Sequence, residues 1–173
     1  MSEDIKSLRV PPELAKELSD IRNADTTKLA YIGDAVYEVF VRMNSALVCG
    51  RHAADMNKNS VRYVKADSQA AAAKGLMAPR RSEERDDHAE AETAGDAGGT
   101  ESQGSPFYTA EEILLFKRAR NRTNTSHPRG STPAEYKLAT GFEAVIGWLY
   151  IKGDLDRLSE TATEAMRIID GEK

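Results

Sequence analysis

Apolar side chains recur at steps of three and four residues along nearly all of the chain, the spacing that places them on one face of a helix. Pro11-Pro12 opens a short helix carrying Leu14 and Leu18. Asp25 caps a long one, for which the spacing predicts a buried stripe of Leu29, Ile32, Val36, Phe40 and Met43. A third helical region runs over about 54–77, with an interruption near Ala66-Asp67 and an alanine run at 70–73 suited to tight packing. Thr109 and Glu112 form a capping box before Ile113, Leu114 and Phe116. A second box, Thr132-Pro133-Ala134-Glu135, has proline at the first helical position and opens a helix buried through Leu138, Phe142, Val145, Ile146 and Leu149. Gly153-Asp154 ends it and caps a last helix with Leu155, Leu158, Ala162, Met166 and Ile169 facing inward. Nothing in the chain alternates with period two, so the expected class is all-α, a helical bundle.

One stretch has no such pattern. Residues 79–106 contain no Val, Ile, Leu, Met, Phe, Tyr, Trp or Cys, but eight acids and three arginines. It cannot bury enough apolar surface to offset its ordering entropy, so the expectation is one domain, 1–173, with 79–106 a disordered acidic insertion. The chain's formal charge of −4 is therefore misleading: the insertion carries −5 and the rest +1. Residues 113–134 hold no acid and carry Lys117, Arg118, Arg120, Arg122 and Arg129, with Asn121, Asn124 and Ser126 among them. Read plainly, that run is a solvated helix end; read chemically, it is a phosphate-binding strip.

Composition removes several other classes. With 173 residues, a single cysteine and three scattered histidines, there is no internal disulfide and no usual zinc ligand set. The longest apolar stretch, 144–151, is under half of the roughly 20 residues needed to cross a bilayer. The first residues lack a basic-then-apolar export pattern, so the expected location is the cytoplasm.

Two acids sit where an amphipathic helix should not want them. Asp34, in Leu29-Ala30-Tyr31-Ile32-Gly33-Asp34-Ala35-Val36, and Glu143, in Gly141-Phe142-Glu143-Ala144-Val145-Ile146-Gly147, have apolar or small neighbours on almost every side. A buried carboxylate must be paired, hydrogen-bonded or metal-bound. Either each acid is satisfied by an arginine or hydroxyl, or the two helices cross and aim both at a divalent cation. Gly33 and Gly141 beside them fit a close approach of two backbones, or of a backbone and a ligand. Glu38 lies on the same face as Asp34, but its spacing also suits a pair with Arg42.

These two acidic motifs, in this order, resemble those of the ribonuclease III catalytic domain. The match is best to the Mini-ribonuclease III subfamily, which lacks a separate double-stranded-RNA-binding domain. Val64-Lys65-Ala66-Asp67-Ser68-Gln69-Ala70 and Arg118-Ala119-Arg120-Asn121 extend the resemblance to about residues 25–160 outside the insertion. Ala30 and Thr140 stand where typical ribonuclease III enzymes carry two further acids, a departure that Mini-III proteins share. The resemblance implies a ribonuclease III-like fold and a magnesium-dependent endoribonuclease, with manganese as substitute, cutting duplex RNA as a homodimer. It implies Asp34 and Glu143 as catalytic and metal-binding acids, and precursor large-subunit ribosomal RNA as substrate class. Arg118, Arg120, Asn121, Arg122 and Arg129 are the candidates for the RNA grip, with Arg62 and Lys65 behind them. Two rivals remain at this point: an all-α magnesium-dependent nucleotide pyrophosphohydrolase, and a non-catalytic RNA-binding module with the same fold.

Overall fold

The computed structural model describes residues 10–79, 105–122 and 131–171. Its helices are α1 Pro12–Leu18, α2 Thr26–Val48, α3 Ala53–Val64, α4 Ala66–Met77, α5 Ala110–Arg120, α6 Pro133–Lys152 and α7 Leu155–Asp170. No strand occurs among the described residues, and the fold is the all-α bundle expected. The local signals act where they were read. Asp25 accepts a hydrogen bond from Thr27 N (2.8 Å) at the start of α2, both capping boxes close, and extended backbone at Lys65 separates α3 from α4.

α6 is apolar on nearly all sides, and a helix of that kind must lie inside the protein. It is the central post, packed by α2, α4, α5, α7 and the short α1. Phe142, Val145, Ile146 and Leu149 are fully buried along it. Tyr37 of α2 meets Phe142 edge-on, with ring centroids 4.8 Å apart and planes at 89°, the favourable arrangement for aromatic quadrupoles.

The buried face of α2 differs from the expected stripe. Its core residues are Thr26, Leu29, Ala30, Gly33, Tyr37, Val41 and Ser45. Ile32, Val36 and Phe40 are only partly buried, and Met43 is 56% exposed. The reason is that α2 is apolar on two faces. Period alone cannot tell the face that meets α6 from the one left outside, where Tyr31 and Leu47 are each 83% exposed. Leu114 and Leu155 are likewise more exposed than their spacing suggested.

Glycine decides how close α2 and α6 come. A Cβ on Gly33 would lie 1.8 Å from the backbone oxygen of Glu143, and one on Gly147 would lie 2.1 Å from that of Leu29. The two backbones therefore touch at this crossing, which no residue with a side chain permits. Gly141 has a different reason: its missing Cβ leaves room for the Phe116 ring of α5.

Away from the crossing, a buried ion pair joins α5 to α7. Arg157 donates from Nε and Nη2 to the two carboxylate oxygens of Glu112, at 2.8 Å each, and from Nη2 to the Phe107 carbonyl at 2.7 Å. Glu112 is 2% exposed and also closes its capping box, so one carboxylate fixes both a helix start and a helix contact. The chain leaves α4 and re-enters before α5 at adjacent points: Pro79 and Pro106 form an isolated bridge, and Tyr108 N donates to Leu76 O at 3.3 Å. Residues 80–104, which make up most of the expected insertion, lie outside the described residues.

Because the obstacle at Gly33 is backbone rather than a flexible side chain, Gly33→Ala is expected to cost about 3 kcal/mol of stability by forcing α2 off α6. Urea unfolding checks this; a variant within 1 kcal/mol of the wild type, roughly the scatter of ordinary surface substitutions, would mean that the crossing is not a tight one.

Candidate active site

Asp34 and Glu143 flank the glycine crossing. Asp34 follows Gly33 on α2, and Glu143 supplies the carbonyl that Gly33 touches. The close approach of the backbones thus brings two carboxyl-bearing positions from distant parts of the chain to one place. Their surroundings are unequal. Glu143 is half-buried in α6, whereas Asp34 is an exposed residue at the rim, which corrects the expectation that both acids lie inside. The stripe of α2 that meets α6 runs through Gly33 and Tyr37, and Asp34 falls just off it.

The electrostatics record the convergence. Burial pushes the Glu143 carboxyl up to about 8, with the charge of Asp34 adding to the rise and the Gln69 amide countering it. Asp34 is raised as well, first by desolvation and then by Glu38 on the next turn. Neither acid has an arginine or lysine partner among the described residues, so pairing of each acid with its own cation does not account for them. Glu38 accepts from Arg42 Nη2 at 2.6 Å, the helical pair its spacing suggested. No group of three or more His, Cys, Asp or Glu side chains suited to a metal occurs among the described residues.

The third polar group at the site escaped the sequence reading. Gln69 of α4 is 1% exposed, in a helix otherwise buried through Ala70, Ala72, Ala73 and Leu76. Its side chain lies against the Glu143 carboxyl, yet its Nε2 completes no hydrogen bond. A glutamine leading an alanine run on an apolar face was the available signal.

The basic strip divides. Arg118 donates from both terminal nitrogens to the carbonyls of Ile21 and Ala24, clamping the turn between α1 and α2. Arg122 Nη1 bonds the Asp25 carboxylate at 2.6 Å, and Asp25 caps α2. These two arginines thus hold the protein's own loop and helix start. Arg120 is half-buried with Nε on Asn121 Oδ1 (3.1 Å), and Asn121 is exposed at the end of α5. Arg129 lies outside the described residues. Of the two weaker candidates, Arg62 pairs with Asp170 at 2.6 Å, while Lys65 and Arg62 line a surface cavity of about 660 Å³ together with Lys58 and Asn59.

The all-helical fold is shared with known proteins of one family. The model of the Ribonuclease III domain matches residues 27–154. The Mini-ribonuclease 3 of Symbiobacterium thermophilum is 33% identical over 142 residues, spanning 82% of this chain and 88% of that one. That of Gloeobacter violaceus is 34% identical over 138 residues, spanning 80% and 79%. A crystal structure of a Fusobacterium nucleatum protein superposes with a TM-score of 0.61 at 26% identity, covering 90% of this chain and 99% of that one. The chain belongs to the ribonuclease III family, and within it to the Mini-ribonuclease III group; it is an endoribonuclease of that type. Members of the family act on RNA, typically dimerise and generally depend on a divalent metal. No helix among the described residues is long and apolar enough to cross a membrane.

The sign of the Glu143 shift gives a pH signature. Its ordinary value is 4.5, so between about pH 4.5 and 8 the folded protein holds a proton that the unfolded chain has lost. Stability in chelator should therefore fall as pH rises through that window, by on the order of a few kcal/mol, and level off above it. Glu143→Gln should flatten the fall and be the more stable protein at pH 8. Urea titrations of both proteins at pH 5, 6.5 and 8 measure this, and parallel slopes would mean that Glu143 ionises as freely folded as unfolded.

Proposed function

We propose that this ribonuclease cleaves double-stranded RNA as a homodimer, with Asp34 and Glu143 as catalytic acids that together hold a divalent cation. The observation that supports this reading most is the meeting of two carboxyls at one helix crossing with no basic partner among the described residues. An all-oxygen pair suits magnesium, or manganese in its place, since these ions keep several waters and need few protein ligands. The raised value of Glu143 fits too, because a divalent cation beside it would favour the charged form that burial disfavours. Bound there, a divalent ion supplies an acidified water and charge neutralisation at a scissile phosphate.

The chain's own contribution is placement. Asp34 at the rim is within reach of a substrate backbone, while Glu143, set deeper and held by α6, fixes the inner side of the site. A-form RNA offers phosphates and 2′-hydroxyls across a shallow groove, and Arg120, Asn121 and Arg129 are the groups we assign to them. Arg118 and Arg122 act at one remove, by holding the start of the helix that carries Asp34. Precursor large-subunit ribosomal RNA in the cytoplasm is the substrate class that the resemblance to Mini-III enzymes supports. We read the chain as one domain with 79–106 as an insertion, a reading supported by the adjacency of Pro79 and Pro106.

Cutting both strands calls for two sites related by a twofold axis, and the outer face of α2 suits a second copy of the chain. Tyr31, Val39, Met43 and Leu47, at steps of eight, four and four residues, are exposed apolar side chains on the helix that bears Asp34. Val39→Glu should convert the dimer to a monomer in sedimentation velocity while the helical signal persists; a dimer that survives it would place the interface elsewhere.

Labelled duplex RNA incubated with magnesium or with chelator tests the chemistry. Asp34→Asn and Glu143→Gln should each lower the cleavage rate by about 100-fold or more while leaving duplex binding near wild type. Full-rate cleavage by either variant, or by the wild type in chelator, would refute these roles.

A further inference from the structure

Gln69 is the one polar side chain that α4 inserts into the core beside Glu143, in a helix face otherwise made of alanine and leucine. A buried amide N–H that completes no hydrogen bond is a cost to stability, and an apolar residue of similar volume would avoid it. Selection for stability alone would therefore not keep a glutamine here. Its location supplies another reason, since the carboxyl it faces belongs to an acid that a cation site needs held in one orientation. A ligating carboxylate directs some of its lone pairs at the ion, and the remaining ones take donors from the surrounding protein. Around Glu143 the described residues offer no arginine or lysine for that purpose, while the Gln69 amide lies against the carboxyl, already favours its charged form, and has in Nε2 a donor engaged by no other group.

We propose that Gln69 is a positioning residue, donating from Nε2 to the Glu143 carboxylate and fixing its orientation when a divalent cation is bound. This rests on the reading of Asp34 and Glu143 as the cation-binding acids. The amide already favours the charged form of Glu143, and Nε2 completes no bond to any other group, so its one service is to this carboxyl.

Two variants separate this role from a packing role. Gln69→Leu keeps most of the volume and removes the amide; Gln69→Glu keeps the shape and replaces the donor by an acceptor. Mn2+ binding to the full-length protein without RNA is read by electron paramagnetic resonance, melting temperature is read in chelator, and kcat and KM are read on duplex RNA. The expected result for Gln69→Leu is Mn2+ binding weaker by about tenfold, a melting temperature equal to or above wild type, and a lower kcat with KM for RNA unchanged. Gln69→Glu should also weaken Mn2+ binding. An unchanged Mn2+ affinity in Gln69→Leu would overturn the proposal, as would a fall in melting temperature large enough to mark the amide as structural. Tighter Mn2+ binding by Gln69→Glu would overturn it differently, by making the position a direct ligand. A wild-type protein that takes up no Mn2+ would instead overturn the underlying cation site.

Discussion

The backbone contact between α2 and α6 at Gly33 and Gly147 governs the rest of the molecule. Each glycine faces a carbonyl or amide of the other helix at a distance where a methyl group would collide with main chain. Two helices that touch at their backbones have a fixed crossing, because neither can rotate or slide without losing the fit. The edge-on contact of Tyr37 with Phe142, one turn along, secures the same pair. Asp34 and Glu143 are carried by these helices at the point of closest approach, so the geometry of the site is inherited from the packing and does not depend on a loop.

That arrangement has an electrostatic cost. Burial in α6, with Asp34 nearby, raises the Glu143 carboxyl to about 8, while desolvation and then Glu38 raise Asp34. A second carboxylate of the core is handled differently. The Arg157–Glu112 pair is bidentate and ties α5 to α7, and its guanidinium also stacks 4.2 Å from the Phe107 ring centre. Within one small chain, then, one buried acid is neutralised by a guanidinium and serves the fold, and another is left without a counter-charge among the described residues. The contrast between Glu112 and Glu143 lies in their partners more than in their burial.

The arginine-rich end of α5 divides its cations between the protein's own chain and solvent-facing positions. In sequence it is a run of cations with amides between them, the composition of a phosphate grip. In space Arg118 reaches the turn before α2 and Arg122 reaches the residue that caps it, so part of the strip holds the very helix that bears Asp34.

The helices, their caps, the break at Lys65 and the two acidic motifs were legible in the sequence, because each follows from interactions within a few residues: period, capping and side-chain spacing. The family was legible for the same reason, since its motifs are contiguous. Tertiary structure decided what depends on partners far apart in the chain. It chose which of two apolar faces of α2 is core, leaving Met43 and Leu47 outside. It set Asp34 at the rim and Glu143 deeper, paired Glu112 with Arg157 across 45 positions, and brought Gln69 against Glu143. Such contacts are fixed by how helices pack, and no local pattern encodes the neighbour that packing will supply.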